Sequence, residues 1–427
     1  MHAAASAIMG LTLLLMVLGR TPLYATAVIG STLAAVVAGI PITGDGETTV
    51  LGLVSGSLHP VIADMAGVLV FIGAMERAGY LQVVVHAIVR QGARLGRGPG
   101  VATAGGVGAG VIGAFTGFTQ PAITAVVTGP ASVELGVEPN RSAGTHAHAG
   151  HLGNFAGFTH PTLLAVMAVT AIQFGWINVI GLATALVIFG VSFARMRAAV
   201  RARAGTAPAD PDAAVAAVRQ FDRRPGEPPV WVVLLPFALL VTGFALGYPV
   251  FVVGFVVACL VMIMGRQDPQ AAEEAMLASV RRIAVPLVAT VGFLYMSGVI
   301  GAIGLAGEMA TWFEPLTGTA PVVTMLVVAS LAGLVTQSNA ASAAIVLPVL
   351  GIVVATGDVA PLAAAVAAAG PPAIMQYFLT GGPVAALATT VPVVPGSDLR
   401  AANRFQRPSQ LCGLLFVSVV ALLLGGF

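Results

Sequence analysis

Charged side chains are scarce in this sequence. Asp, Glu, Lys and Arg together make up 8% of the 427 residues, whereas apolar residues make up 57%. An average soluble domain carries about 25% charged residues, so the composition excludes that class of protein. Apolar runs close to the length of about 20 residues that a helix needs to cross a bilayer recur along the chain. The composition therefore predicts an all-α polytopic membrane protein.

Cysteine is almost absent and lysine is absent altogether. The only two cysteines, Cys259 and Cys412, both lie in apolar runs, so the sequence predicts neither a disulfide framework nor a cysteine metal site. All 19 basic residues are arginines. They cluster at 90–97, 195–224, 281–282 and 400–407. Because cytoplasmic loops carry an excess of basic residues, we place these clusters inside and predict a multi-pass protein of the bacterial inner (cytoplasmic) membrane.

The same charge pattern divides the chain into two halves of opposite orientation. With the arginine clusters inside, the first span, 3–19, starts outside the cell, whereas the first span of the second half, 231–247, starts inside. We therefore predict two inverted repeats, 1–195 and 230–427, joined by a cytoplasmic linker, 196–229. The linker is rich in Ala, Pro and Arg, a composition typical of connecting segments.

Four polar, turn-prone interruptions lie between apolar segments. We name them the first tip, the first break, the second tip and the second break; they are residues 113–121, 150–161, 333–341 and 370–383, respectively. Non-helical backbone at membrane depth is tolerated only where it is buried in protein or lines a cavity. Interruptions at corresponding positions of two halves point to the binding site of a secondary transporter.

Each half is predicted to contain one hairpin and one broken helix. We interpret 99–136 and 321–357 as re-entrant helical hairpins that carry the tips, with two full spans at each place as the alternative. Residues 143–174 and 362–395 are then transmembrane helices that are interrupted at the breaks.

Acidic residues are absent from all four interruptions. Helix ends inside a membrane carry partial charges that suit ions, and a site without carboxylates favours an anionic substrate. We interpret Arg141 as an anchor at a hairpin foot rather than as a partner of that anion. Na⁺ near Asn339 and Asn154 is also possible on this chemistry. The predicted substrate-binding residues are Thr116, Gly117, Phe118, Thr119, Gln120, Asn154, Thr159, His160, Thr336, Gln337, Ser338, Asn339, Gln376, Thr380 and Gly381.

Four of the seven histidines fall within 15 residues: His146, His148, His151 and His160. A metal site would fit the spacing of the first three, but no Cys, Asp or Glu joins them, so neither a metal nor another cofactor is predicted. Proton coupling is a second interpretation, with His160 as the candidate because it lies at a break. A helix that packs its histidines against backbone carbonyls is the third, and all three stay open at this point.

The motif Gln337-Ser338-Asn339 at the second tip, and the broken helix that follows each predicted hairpin, resemble the ion transporter superfamily over about residues 60–395. Within it, Gly117-Phe118-Thr119-Gln120-Pro121, Leu135-Gly136-Val137-Glu138-Pro139 and the segment Asn154–Pro161 look most like the lactate permease pattern. In that pattern Thr119 would be Gly and Val137 would be aromatic.

The resemblance implies an elevator carrier. A transport part, 61–175 with 283–395, would move past scaffold spans, 3–41 with 231–264, in a homodimer within the lipid bilayer. It further implies a small organic anion, a carboxylate, coupled to H⁺ or Na⁺. The alternative is a Na⁺/H⁺ or other inorganic-ion antiporter of the same fold. No enzymatic activity and no nucleic-acid partner are predicted.

Overall fold

The computed structural model describes residues 2–18, 21–44, 46, 48–116, 121–203, 219, 225–282, 284–309, 311, 320–355, 357–379 and 385–426. These residues fold into α-helices and one short 3₁₀ turn, Val391–Val393, and none of them forms a strand. The predicted all-α fold is therefore confirmed. The inverted relationship between the two halves stays a prediction.

The first half consists of ten described helices. Prolines begin α7 and α9, where a missing backbone N–H costs nothing. The helices are α1 His2–Leu18, α2 Leu23–Val37, α3 Val50–Gly56, α4 Val61–Arg77, α5 Tyr80–Thr116, α6 Ala122–Glu134, α7 Pro139–Ala147, α8 Ala149–Phe155, α9 Pro161–Val169 and α10 Trp176–Ala202.

The second half contributes nine further helices to the described part of the chain. Prolines again begin helices here, at α13, α15 and α17. The helices are α11 Val230–Ala245, α12 Val250–Met264, α13 Pro269–Arg282, α14 Ala284–Ala302, α15 Pro321–Thr336, α16 Asn339–Ala355, α17 Pro361–Met375, α18 Ala385–Thr390 and α19 Leu399–Leu424.

Helix length and composition identify the molecule as a multi-pass membrane protein. Within the described ranges, α5, α10 and α19 are long and apolar enough to cross a bilayer, and α3 with α4 would form a fourth span across a 43° bend. The other apolar helices have 10–17 residues. At about 1.5 Å per residue, 17 residues reach about 26 Å, a little less than the hydrocarbon core of about 30 Å.

The predicted hairpins and broken helices can be located among these helices. The helix α5 kinks at Arg97, and its later part packs against α6 through the Thr124 hydroxyl, which donates to the Gly105 carbonyl at 2.8 Å. The second hairpin is α15 with α16. The first broken helix is interrupted between Phe155 and Pro161, as predicted.

The structure differs from the sequence prediction at two boundaries. The last two turns of α10 run to Ala202 and so lie in the segment that was predicted as linker. The second break was predicted at 370–383, but α17 continues to Met375, and residues 380–383 of the break lie outside the described residues.

Small residues allow α4 to approach α12 closely. A Cβ atom on Gly67 would lie 2.6 Å from the Phe251 Cα, and one on Gly254 would lie 2.3 Å from the Gly67 carbonyl oxygen. The Asp64 carboxylate also accepts a hydrogen bond from the Phe251 N–H at 3.2 Å. The helix α4 is therefore held to the beginning of α12 by backbone contact.

Candidate functional site

The first tip and the first break are hydrogen-bonded to each other. The Phe158 N–H donates to the Ala114 carbonyl at 2.7 Å, and the Thr159 hydroxyl donates to the Phe115 carbonyl at 3.2 Å. The rings of Phe115 and Phe158 stack with their centroids 5.3 Å apart. Carbonyls at the end of α5 are thus satisfied by the interrupted backbone between α8 and α9.

The second tip and the second break are joined in a similar way. The helix α15 ends at Thr336, and the next residue, Gln337, has the left-handed conformation with φ 47° and ψ 30°. The Thr336 hydroxyl donates to the Ser338 carbonyl at 3.0 Å and so closes the turn. The Asn339 N–H, at the start of α16, then donates to Gln376 Oε1 at 3.0 Å. A side chain at the end of α17 therefore satisfies a free N–H at the start of α16.

Asn339 also connects the two halves of the chain. Its side-chain nitrogen, Nδ2, lies 3.3 Å from the His160 Nδ1. Its backbone carbonyl accepts a hydrogen bond from the Thr162 hydroxyl at 3.0 Å. Both His160 and Asn339 are buried. We call the contact among His160, Thr162, Asn339 and Gln376 the junction, because interruptions from both halves meet there.

One polar atom of the junction has no partner. The side-chain oxygen of Asn339 is buried and forms no hydrogen bond with any described residue. The two ends of an amide are assigned and not observed. In the opposite orientation the oxygen would face His160, and the NH₂ group would be the end without a partner. Leaving a buried polar atom unsatisfied costs about 1–3 kcal/mol. Such an atom in a native fold calls for an explanation.

A second link between the halves runs through Tyr377. The Asn154 amide donates to the Tyr377 hydroxyl at 3.1 Å, and the Tyr377 carbonyl accepts from the Asn403 amide at 2.9 Å. Sequence reasoning did not single out Tyr377 or Asn403. The available signal was a set of polar residues at helical spacing in the last apolar helix, namely Asn403, Gln406, Ser409 and Gln410, since polar groups in a span face the interior of the bundle.

The sequence analysis also missed the residue that satisfies the first break. The Asn178 amide donates to the Ala156 and Gly157 carbonyls, both at 3.2 Å, and its oxygen accepts from the Gly175 N–H at 3.0 Å. Asn178 stands near the start of an otherwise apolar run, and that isolation was the signal.

The predicted site residues fall into three groups. The residues Asn154, Thr159, His160, Thr336, Ser338, Asn339 and Gln376 take part in the contacts above, and Gln337 forms the turn between two of them. Thr116 follows Phe115 at the end of α5 and donates to the Ile112 carbonyl at 3.0 Å. The predicted residues Gly117, Phe118, Thr119, Gln120, Thr380 and Gly381 lie outside the described residues. The part of each residue in binding stays a prediction.

Arg141 is engaged away from the junction. Its Nε donates to the Glu138 carboxylate at 2.9 Å, and its Nη1 donates to the Arg195 carbonyl at 3.3 Å. Among the described residues, no group of three His, Cys, Asp or Glu side chains is placed to hold one metal ion. The junction is therefore built from neutral polar side chains and helix ends.

Comparison with solved structures shows the same fold in two transporters. The YdaH transporter of Alcanivorax borkumensis, whose crystal structure is described as having an unusual topology, aligns at a TM-score of 0.57 and 19% identity over 87% of this chain and 86% of its own. MtrF of Neisseria gonorrhoeae, described within a class of antimetabolite efflux pumps, aligns at a TM-score of 0.61 and 13% identity over 94% of this chain and 95% of its own.

No protein-family model matches the chain, and no curated protein matches it in sequence. These comparisons do not show a relationship to the ion transporter superfamily or to lactate permeases, so that resemblance stays a prediction. At identities this low the structural likeness establishes the fold alone. The chain is a multi-pass α-helical membrane protein that shares its fold with membrane transporters.

Proposed function

We propose that this protein is a secondary active transporter that moves a small organic anion, a carboxylate, coupled to H⁺ or Na⁺. The observation that carries the proposal is the Asn339 amide. It lies where interruptions from both halves of the chain meet, and one end of it is buried without a partner among the described residues. In the orientation that leaves the NH₂ group at that end, the amide can donate a hydrogen bond to an anion. The shared fold with two transporters supports the general class.

The electrostatics of the junction favour an anion. Two helices, α9 and α16, begin there, at Pro161 and Asn339, and the Thr162 hydroxyl joins their first turns. Helix N-termini carry partial positive charge, which stabilises bound anions. None of the junction residues and none of the tip residues is acidic. An inorganic-cation antiporter, the alternative, would need carboxylates at this depth, so the organic anion is the better supported substrate class.

The contacts also support an elevator movement with one change of boundary. The backbone contact between Gly67 and Gly254 ties α4 to α12, so in this proposal α4 moves with the scaffold and not with the transport part. Two other contacts between the two parts are aromatic, and the Thr32 and Tyr295 hydroxyls, 3.0 Å apart, also meet between them. Phe115 lies 5.1 Å from Phe237, and Phe158 lies 6.3 Å from Phe244, measured between ring centroids. Ring contacts of this kind lack directional bonds and can be remade after a shift.

Transport into proteoliposomes tests the proposal. The purified chain is reconstituted, and uptake of radiolabelled lactate, gluconate and succinate is measured under an imposed H⁺ or Na⁺ gradient. We expect gradient-dependent accumulation of at least one of the three anions. No gradient-dependent uptake of any of them would refute the carboxylate proposal, and exchange of inorganic cations in the same vesicles would favour the antiporter.

Asn339→Ala locates the site. The change removes the amide that contacts His160 and leaves the backbone N–H that bonds Gln376. We expect the initial uptake rate to fall at least about tenfold, which corresponds to about 1.4 kcal/mol. Ser330→Ala is the matched control, because among the described residues the Ser330 hydroxyl bonds only the Leu326 carbonyl of its own helix, α15, nearly two turns before that helix ends. Equal rates for the two variants would place the site elsewhere.

A further inference from the structure

Two fully buried histidines lie between the junction and the arginine-rich end of α10. The rings of His148 and His151 are 5.3 Å apart between centroids, and the His151 ring meets the Tyr377 ring edge-on at 5.2 Å. The Tyr377 hydroxyl in turn accepts from Asn154. On the other side, His148 Nε2 lies 2.8 Å from the Ser192 hydroxyl. A continuous series of buried polar side chains therefore leads from Asn154 to α10.

The partner of His151 fixes where its hydrogen is. Its Nδ1 lies 3.1 Å from the Ala373 carbonyl oxygen, which can only accept, so Nδ1 carries the hydrogen. The neutral ring then has a bare lone pair on Nε2, and that atom is buried and has no hydrogen-bond partner in the described part of the chain. The Nδ1 of His148 is likewise buried and unpartnered there. Each ring therefore keeps one open nitrogen.

The other two clustered histidines differ in this respect. His146 uses both ring nitrogens, since Nδ1 lies 2.9 Å from the Ser142 carbonyl and Nε2 lies 2.6 Å from the Thr128 hydroxyl. His160 has its Nδ1 engaged by the Asn339 amide. His146 thus fits the interpretation of a histidine that packs against backbone, and His148 and His151 do not.

The surroundings of the pair decide when it can take up a proton. The titratable or charged groups that face the pair are Tyr377, just after α17, and Arg195 on α10. No carboxylate among the described residues bonds either ring. A positive charge on a buried ring is costly unless a counter-charge is near. An anion bound beside Asn154 would supply that counter-charge, so proton and anion would bind together.

We propose that His151, with His148 beside it, binds the coupling proton on its open Nε2 in the presence of the anionic substrate. This inference rests on the proposed function and makes H⁺ the coupling ion. It also moves the proton site from His160 to a pair one turn of helix before Asn154. The proton leaves solvent as H⁺ and forms one N–H bond, and the imidazolium charge of +1 offsets one negative charge of the substrate.

A groove on the α5–α10 side comes close to the pair. The groove has a volume of about 830 Å³ and is lined by Phe189 and Arg197, among others. Phe189 packs edge-on against the His148 ring with centroids 5.8 Å apart. One phenyl ring therefore separates this groove from the first histidine.

The test compares His151→Asn with His146→Asn in proteoliposomes. At either position the Asn side-chain NH₂ replaces the donating Nδ1–H and can bond the same carbonyl, of Ala373 or of Ser142, so that hydrogen bond is kept in both. Two rates are measured with the anion that wild type transports best among lactate, gluconate and succinate. One is accumulation driven by an inward H⁺ gradient, and the other is exchange of labelled for unlabelled anion without a gradient.

We expect His151→Asn to lower H⁺-driven accumulation at least tenfold more than it lowers exchange, and His146→Asn to change both rates in proportion. If the inward H⁺ gradient still drives accumulation of the anion by His151→Asn as it does by wild type, the inference is wrong while the proposed function stands. Accumulation by wild type with Na⁺ alone would also overturn it. Failure of wild type to transport any of the anions would instead refute the proposed function, and the inference with it.

A measurement on wild type covers the case in which His151→Asn does not fold. A pH-sensitive dye enclosed in the vesicles reports proton entry when the anion is added outside. We expect protons to enter with the anion, and His148→Gln to reduce this entry at least tenfold relative to exchange. Anion uptake without proton entry would overturn the inference.

Discussion

At the scale of single residues, a few amides satisfy the backbone that the interruptions expose. Asn178 is the clearest case, because one side chain satisfies two carbonyls of the first break and one N–H at the start of its own helix. In a bilayer these groups have no water to replace a lost partner. The stability of the first break therefore depends on a residue that lies about 20 positions after it in the sequence.

Asn178→Leu should destabilise the protein by about 1–3 kcal/mol, because it leaves buried carbonyls unsatisfied while keeping a side chain of similar volume. Thermal unfolding in detergent measures the effect as a lower midpoint temperature. Thr184→Val is the control on the same helix, since the Thr184 hydroxyl bonds only the Ile180 carbonyl, which its helix also satisfies. Equal midpoints for the two variants would contradict this account of Asn178.

At the scale of helices, apolar length predicted most of the spans but not all of the helices. The predicted interruption of the first broken helix lies between α8 and α9. The helices α3 and α13 were missed. The helix α3 has only seven residues, and α13 is amphipathic with Glu273 and Glu274 on it, so neither reads as an apolar span.

Gly67→Ala tests the contact between α4 and α12. Its new Cβ would lie 2.6 Å from the backbone of Phe251, which cannot yield without moving the helix. Overpacking of this kind costs about 1–3 kcal/mol, so the midpoint of thermal unfolding should fall. Gly351→Ala on α16 is the control, because no heavy atom lies within 4 Å of a Cβ placed there. We expect it to leave stability unchanged or slightly higher, since Ala favours helix over Gly. A stable Gly67→Ala protein would show that α4 and α12 separate at little cost.

At the scale of the whole molecule, the elevator proposal requires Phe158 to move relative to Phe244. In a chain in which Cys259 and Cys412 are replaced by Ala, we introduce Phe158→Cys with Phe244→Cys and join them with a reducible bifunctional thiol reagent. Transport should fall at least tenfold on cross-linking and return on reduction, because the two parts can no longer shift. Cys259 and Cys412 are both exposed, so replacing them should not disturb the core.

The control pair is Phe158→Cys with Phe174→Cys, whose rings lie 5.5 Å apart and both belong to the predicted transport part. Cross-linking this pair should leave the ratio of cross-linked to reduced transport near one. Undiminished transport after cross-linking of Phe158→Cys with Phe244→Cys would exclude relative motion at this contact.

The sequence by itself determined the class of fold and the places where its helices are interrupted. Scarce charge, apolar runs and prolines act locally, so they can be read without knowing what packs against what. It also selected Asn339, Gln376 and His160, because polar residues at interruptions stand out against an apolar background. Their separation along the chain, up to 216 positions between His160 and Gln376, gave no sign that they touch.

Only the tertiary structure decided which polar groups bond each other. Four histidines within 15 residues look equivalent in sequence, yet His146 has both nitrogens engaged, while His148 and His151 each keep one open. That difference depends on Thr128, Ser192 and Ala373, which come from three separate helices. Hydrogen bonding needs donor and acceptor within about 3 Å, and such distances between remote segments are set by helix packing and not by local sequence.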